Sequence, residues 1–233
     1  MLHKAKMLIL GVDTSGKSGG ITLASGDHDS FHVLESAAIA GGTFSAQLVP
    51  TVASLLQKHG LGTEELGGFV VVSGPGSFTG LRVGLSAIKG LAEILQKPVA
   101  AVSLLEALAA RSSQQDGRVA TALDAGRNEI FWGLYKFTKD GTLVGEEKLL
   151  SPPEFLKEIE ATRPVCIITT DHSLADLASS TGVRVQEKER PGVESITRLG
   201  LRKLLAGDTV SVEALDATYL RRSDAEIFFK GTR

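Results

Sequence analysis

Short apolar runs and amphipathic stretches follow one another in an order that repeats once along the chain. Residues 7–13 form a continuous apolar run that predicts a buried strand. Residues 20–24 and 31–37 predict two more, separated by the turn-forming Gly26-Asp27-His28-Asp29, which makes a three-strand meander. Over residues 45–59, Leu48, Val52, Leu55 and Leu56 recur at helical spacing, and Gly60 is placed as a left-handed cap. Pro50 predicts a kink or a late start for that helix. Residues 68–73 are a β-branched run that predicts a buried strand, and residues 77–96 predict a helix with Phe78, Leu81, Leu85, Ile88, Ala92 and Leu95 on one face. Residues 98–102 are the next strand, after which Ser103 and Glu106 form a capping box at the start of a further helix.

Residues 112–117 are polar and helix-breaking, dividing the chain into halves at 1–111 and 112–233. Strands return at 118–123, 130–137 and 142–150, with a turn at Lys139-Asp140-Gly141. Pro152-Pro153 opens a short helix, 164–169 is a buried strand, 173–180 a helix, 183–185 a strand and 193–205 a final helix. That last helix and the tail are free to pack back on the first half. Each half runs strands first and then alternates helix with strand, the pattern of an α/β protein built from two related subdomains.

The chain has 233 residues, 42% of them hydrophobic and 22% charged, close to the globular average. Its apolar runs are far shorter than the roughly 18 residues of a membrane span, so a soluble chain without a membrane partner is expected. Lys4 and Lys6 precede an apolar run too short for a signal segment, which predicts a cytoplasmic location. Twenty-five basic against twenty-seven acidic residues give a net charge of −2, without the excess of a chain that grips nucleic acid by itself. The single cysteine, Cys166, lies in an apolar run and reads as a small buried hydrophobe.

Candidate chemistry is concentrated at two turns. Residues 11–18 match the phosphate-loop pattern G-x-x-x-x-G-K-[ST], but the chain continues as glycine and strand, without the helix whose amides such a loop needs. A hairpin with Asp13, Thr14 and Ser15 at its tip is the better reading, either an ordinary polar turn or one whose amides and hydroxyls approach a phosphate. Strand, acidic-hydroxyl turn, strand is also the first phosphate hairpin of the actin, hexokinase and Hsp70 architecture, and Asp124 with Ala125-Gly126-Arg127 stands where that architecture repeats it. The second turn, residues 73–84, misses the dinucleotide fingerprint because Thr79 replaces its third glycine. Gly80, Gly84 and Gly90 fall inside the helix that follows, each costing about 1 kcal/mol against alanine. Gly80 and Gly84 form a small-residue stripe that admits another backbone, from the same chain or, the favoured reading, from a partner's helix. The five histidines show no metal-binding spacing, Gly84-Leu85-Ser86-Ala87-Ile88 lacks the second glycine of a nucleophile elbow, and Asp171-His172-Ser173 reads as a turn and cap. No catalytic residue and no metal ligand set is indicated.

Four blocks together resemble one family. They are residues 9–15, the block Gly74-Pro75-Gly76-Ser77-Phe78-Thr79-Gly80-Leu81-Arg82-Val83-Gly84, residues 102–109, and Leu123-Asp124-Ala125-Gly126-Arg127-Asn128-Glu129-Ile130-Phe131. Their order and spacing resemble the bacterial TsaB (YeaZ) family over the first 137 residues, and Asp216-Ala217-Thr218-Tyr219-Leu220-Arg221-Arg222 is similar to its closing segment with Ala217 in place of proline. The resemblance implies an actin-like ATPase (ribonuclease H-like) fold with a decayed nucleotide site, whose vestige would be Asp13, Thr14, Ser15 and Asp124. It implies a non-catalytic partner of TsaD in forming N6-threonylcarbamoyladenosine at position 37 of tRNAs that read codons beginning with A. TsaE joins the complex, TsaC supplies the activated group, tRNA binds through the assembly, and the chain alone forms a homodimer. No cofactor is expected on this chain by itself; ATP or ADP would sit at the complex interface. The heterodimer would use helices of the first half, with Leu48, Val52, Leu55, Gly76, Ser77, Phe78, Thr79, Gly80, Leu81, Arg82, Gly84 and Ile88 at the interface. Where relatives often carry histidine before a Ser-Glu pair, this chain has Phe44-Ser45-Ala46, which removes a vestigial metal ligand. A weak ATPase using Asp13 and Asp124, or a glycopeptidase, is the competing class. The basic tail, Arg221, Arg222, Lys230 and Arg233, reads either as a tRNA contact or as a solvated terminus.

Overall fold

The computed structural model describes residues 6–113, 116–137 and 143–218. The expected turn at Lys139-Asp140-Gly141, residues 219–222 of the family's closing segment and the rest of the basic tail lie outside the described residues. Strands β1 (Met7–Asp13), β2 (Ser18–Gly26) and β3 (Phe31–Ala40) form an antiparallel meander. Helix α1 (Phe44–Lys58) leads to β4 (Gly68–Gly74), which lies parallel to β1, and α2 (Phe78–Leu95) leads to β5 (Val99–Ser103), parallel to β4. The sheet order is therefore β3-β2-β1-β4-β5. Helix α1 runs unbroken through Pro50, against the expected kink or late start. Pro50 is exposed, and so is Ala46, whose carbonyl loses its usual helical donor on the solvent side of the helix.

Helices cover both faces of this sheet. A β-carbon on Gly19 would meet the Phe44 ring of α1, whereas one on the next residue, Gly20, would meet Val193 of α6 (Val193–Ala206). Successive strand residues face opposite ways, so α1 and α6 lie on opposite faces. Gly11 leaves room for Thr197 of α6, which is fully buried and donates its hydroxyl to the Val193 carbonyl at 2.6 Å. Lys203 of α6 stands 3.2 Å from the Glu106 carboxylate and 3.0 Å from that of Asp208. Burial pushes the Glu106 carboxyl above its ordinary 4.5, against the pull of Lys203.

Helix α3 (Leu104–Ala109) carries the chain into a second unit, the boundary falling after Ala107. This is earlier than the 111/112 division read from the sequence, and Pro191–Ala217, with α6, belongs to the first unit. In the second unit β6 (Arg118–Gly126), β7 (Glu129–Phe137) and β8 (Leu143–Leu150) form another antiparallel meander. Helix α4 (Pro152–Thr162), β9 (Cys166–Thr169), α5 (His172–Ser179) and β10 (Val185–Glu187) follow, giving the order β8-β7-β6-β9-β10. The topology of the first sheet is thus repeated. Its core sets fully buried Trp132 edge-on against Phe155, centroids 5.5 Å apart at 80°, among Ala120, Ala122, Ile130 and Ile167. Strand β10 starts two residues later than the sequence suggests, because Gly182 still holds a left-handed turn with φ 77°. No helix among the described residues is long and apolar enough to cross a membrane.

Candidate functional site

The β1–β2 hairpin and the start of α2 meet at one place in the first unit. After β4 the segment Gly74-Pro75-Gly76-Ser77 redirects the chain, and the Ser77 hydroxyl caps α2 by accepting from the Gly80 amide at 3.3 Å. The Ser77 amide donates to the Ser15 carbonyl at 2.8 Å, and the Thr14 hydroxyl donates to the Gly80 carbonyl at 2.7 Å. Asp13 accepts at Oδ1 from both the amide and the hydroxyl of Ser15. Asp13, Thr14 and Ser15 are only 5%, 2% and 2% exposed. The glycines make this contact possible: a β-carbon at Gly76 would strike Ser15, one at Gly80 the Thr14 carbonyl and one at Gly84 the Thr14 hydroxyl. The Phe44 ring closes the side, packed between Gly19 and Gly80.

The hairpin that would cradle a phosphate is therefore closed by the chain's own helix. A phosphate needs outward-facing amides and hydroxyls, whereas the Thr14 hydroxyl and Ser15 carbonyl are buried and engaged with α2. The residues present do not fit a nucleotide phosphate here, and no chemical step is routed through one. The expectation that a partner's helix lies along Gly80 and Gly84 is corrected by the same contacts: the stripe is filled by Thr14 of this chain. Leu48, Val52, Leu55, Leu81 and Ile88, expected at the interface, are likewise buried under the first unit's own elements. An amphipathic helix gives its strongest apolar stripe to its own sheet first.

Gly76, Ser77, Phe78, Thr79 and Arg82 remain exposed, on the outer side of α2. The Arg82 guanidinium lies 3.7 Å above the Phe78 ring. Beside them a groove of about 470 Å³ runs between Ser45 of α1 and Phe78, Thr79, Arg82, Val83, Ser86 and Ala87 of α2. The sequence reading missed how this face continues. Val83, Ala87, Gly90 and Ile94 follow at helical spacing, Ile94 is 79% exposed, and Val49 of α1 is 59% exposed. A β-carbon on Gly90 would meet nothing within 4 Å. Nothing among the described residues requires that glycine, which costs about 1 kcal/mol relative to alanine. The signal was present as the third helical glycine, the one outside the inner stripe.

Asp124 is exposed at the end of β6, accepting from the Gly126 amide at 2.8 Å, and the hairpin beyond it turns through Arg127 and Asn128, both left-handed. Asp171 caps α5 by accepting from the amides of Ser173 and Leu174. His172 lies 3.1 Å from Glu187, whose carboxylate raises its affinity for a proton. Cys166 is buried. Among the described residues no group of three or more His, Cys, Asp and Glu is arranged to hold a metal.

Two meanders, each followed by alternating helices and parallel strands, with a hairpin at each phosphate position, define an α/β protein of the actin-like ATPase class. In this one the first phosphate hairpin is shut. A family model described as TsaD, tRNA N6-adenosine threonylcarbamoyltransferase, matches residues 37–166. The tRNA threonylcarbamoyladenosine biosynthesis protein TsaB of Bacillus subtilis is 33% identical over 231 residues, covering 94% of this chain and 96% of that protein. The protein of the same name from Escherichia coli is 27% identical over 227 residues, with 94% and 96% covered. A crystal structure of an uncharacterized protein with similarity to peptidase YEAZ, from Pseudomonas aeruginosa, superposes with a TM-score of 0.73 at 30% identity, covering 92% of this chain and 100% of that one. The chain belongs to the TsaB (YeaZ) family.

Proposed function

We propose that this chain takes part in tRNA threonylcarbamoyladenosine biosynthesis as the non-catalytic partner of a TsaD-type chain, serving tRNAs that read codons beginning with A. The observation that carries the reading is the two-sidedness of α2. Its inner glycines close the chain's own phosphate hairpin, while its outer face presents Phe78, Val83, Ala87, Gly90 and Ile94. Because the TsaD family model also fits this chain, the partner is built on the same domain and brings a corresponding helix pair. Two helices from each side then pack together, with Gly90 allowing close backbone approach and apolar burial driving association. An interface of about 1,600 Å² is sufficient for a stable complex. The same face pairs with a second copy when the partner is absent. In this reading the assembled surface receives TsaE and tRNA, and any ATP or ADP belongs at the junction.

Co-purification with TsaD tests the partnership, and mass spectrometry of tRNA from depleted cells tests the pathway. Loss of the modified adenosine is expected on depletion; unaltered tRNA overturns the pathway reading. Titration of the isolated chain with Mg-ATP addresses the competing weak ATPase. No heat of binding is expected, and stoichiometric tight binding would return the chain to the enzyme class.

A further inference from the structure

One end of the second unit's sheet holds four exposed cations on or beside four neighbouring strands. Arg118 opens β6 and stands directly across the antiparallel pair from Lys136 of β7. Arg163 follows α4 in the turn into β9, and Arg184 immediately precedes β10. The Val165 amide donates to the Arg118 carbonyl at 2.8 Å and the Ile167 amide to the Arg184 carbonyl at 2.9 Å, which places these positions at the same end of the sheet. From the strand of Arg184 to that of Lys136 is three strand spacings, about 14 Å.

Local structure does not account for this charge. Like charges directly opposite in an antiparallel pair repel. Arg163 adopts a left-handed φ of 46°, where glycine or asparagine usually ends a helix. Arg118 has a structural task, donating Nη2 to the Thr162 carbonyl at the end of α4 at 2.6 Å. The side chains of Lys136, Arg163 and Arg184 make no ion pair or hydrogen bond among the described residues. Among the described residues, Asp116 and Glu160 are the acidic ones near this end by position, and neither pairs with the four; Glu146 is taken by Lys148 at 3.2 Å. Val165, 42% exposed, adds an apolar contact within the row.

We infer that this sheet end is a docking strip for the phosphodiester backbone of the tRNA. It rests on the tRNA reading above and adds a surface to it. Guanidinium forks and a lysine in a line suit successive phosphates, which they hold without reading bases. A chain of net charge −2 thus keeps a local cationic strip that its composition hides.

The test uses the complex with TsaD, assembled from the wild-type chain and from a Lys136→Gln, Arg163→Gln, Arg184→Gln variant that keeps Arg118 for its bond to α4. Filter binding of tRNA is followed from 50 to 200 mM salt. Each lost phosphate contact flattens the salt dependence by a slope of about 0.7–0.9, so losing three makes the affinity drop over this range smaller by about 20- to 40-fold. Unchanged slope and affinity in an intact complex overturn the strip while the TsaD partnership stands; a wild-type complex that assembles but does not bind tRNA overturns the strip and the tRNA reading on which it rests. If the variant does not assemble, acetylation of Lys136 in the wild-type complex decides. Protection by tRNA supports the strip, whereas no protection, or protection by polyglutamate alone, overturns it, the latter in favour of an acidic protein.

Discussion

Replacing Gly84 and Gly90 of α2 with alanine has opposite consequences for the isolated chain. At Gly84 the new β-carbon strikes the Thr14 hydroxyl, which must rotate away and give up its 2.7 Å bond to the Gly80 carbonyl. Overpacking costs about 1–3 kcal/mol, and a lost buried hydrogen bond costs about 1 kcal/mol more. Removing a helical glycine returns about 1 kcal/mol. Gly84→Ala is therefore expected to destabilise by about 2 kcal/mol, lowering Tm by about 4–8 °C in a chain of this size. At Gly90 the β-carbon meets nothing, so Gly90→Ala keeps only the gain of about 1 kcal/mol and raises Tm by about 2–4 °C. In the proposed complex the ranking is expected to change: Gly90→Leu should block approach of the partner helix and abolish co-elution with TsaD, although the free chain stays folded. Thermal melts and size-exclusion chromatography read both. Gly84→Ala with an unchanged Tm would refute the inner packing, and Gly90→Leu that still co-elutes would refute the outer face.

Lys203→Met leaves Glu106 buried without its cation and is expected to cost about 3 kcal/mol at pH 8. Because burial already raises the Glu106 carboxyl, the folded chain keeps a proton that the unfolded chain gives up above 4.5, and this contribution fades as pH rises through the raised pKa. Urea unfolding should show a smaller loss at pH 5 than at pH 8; equal losses would contradict the assignment. Asp171→Ala removes the α5 cap and should cost about 1 kcal/mol at pH 6, with faster amide exchange at Ser173 and Leu174. The Ser173 hydroxyl and the amides hold the Asp171 carboxyl below 3.8, so that contribution is present above 3.8 and disappears as pH falls through the lowered value. Phe155→Ala empties the space against Trp132 and should cost about 3–5 kcal/mol in the second unit, seen as loss of the Trp132 near-ultraviolet signal. Retention of that signal at full stability would show that the pair is not central to the core.

The strands were legible because buried parallel strands such as β4 and β9 are plain apolar runs, and the meanders because Gly, Asp and Asn mark their turns. The faces of α2 were harder to assign. A helical glycine announces that something comes close without naming it, and Thr14 lies sixty-six residues away from Gly80, whose carbonyl it reaches. The apolar stripe Leu81, Leu85 and Ile88 drew attention to the side that serves the sheet, whereas the outward side is small and mixed, with Val83, Ser86 and Gly90. The pairing of Glu106 with Lys203 could not be read either, since each alone looks like an ordinary surface charge. Helix α6 shows its place only through its partners: Gly11 and Gly20 look like weak strand residues until Thr197 and Val193 are laid against them.

That return of α6 imposes an order on synthesis. When the ribosome has released everything through Ala107, one flank of the first sheet is still bare, because its cover is encoded after Arg190. The later-made unit, whose described elements are contiguous in sequence, can close while the earlier one waits with apolar surface open to chaperones and to neighbouring nascent chains. Premature stops or proteolytic nicks ahead of Val193 would thus be felt at the opposite end of the polypeptide, in the very unit made first.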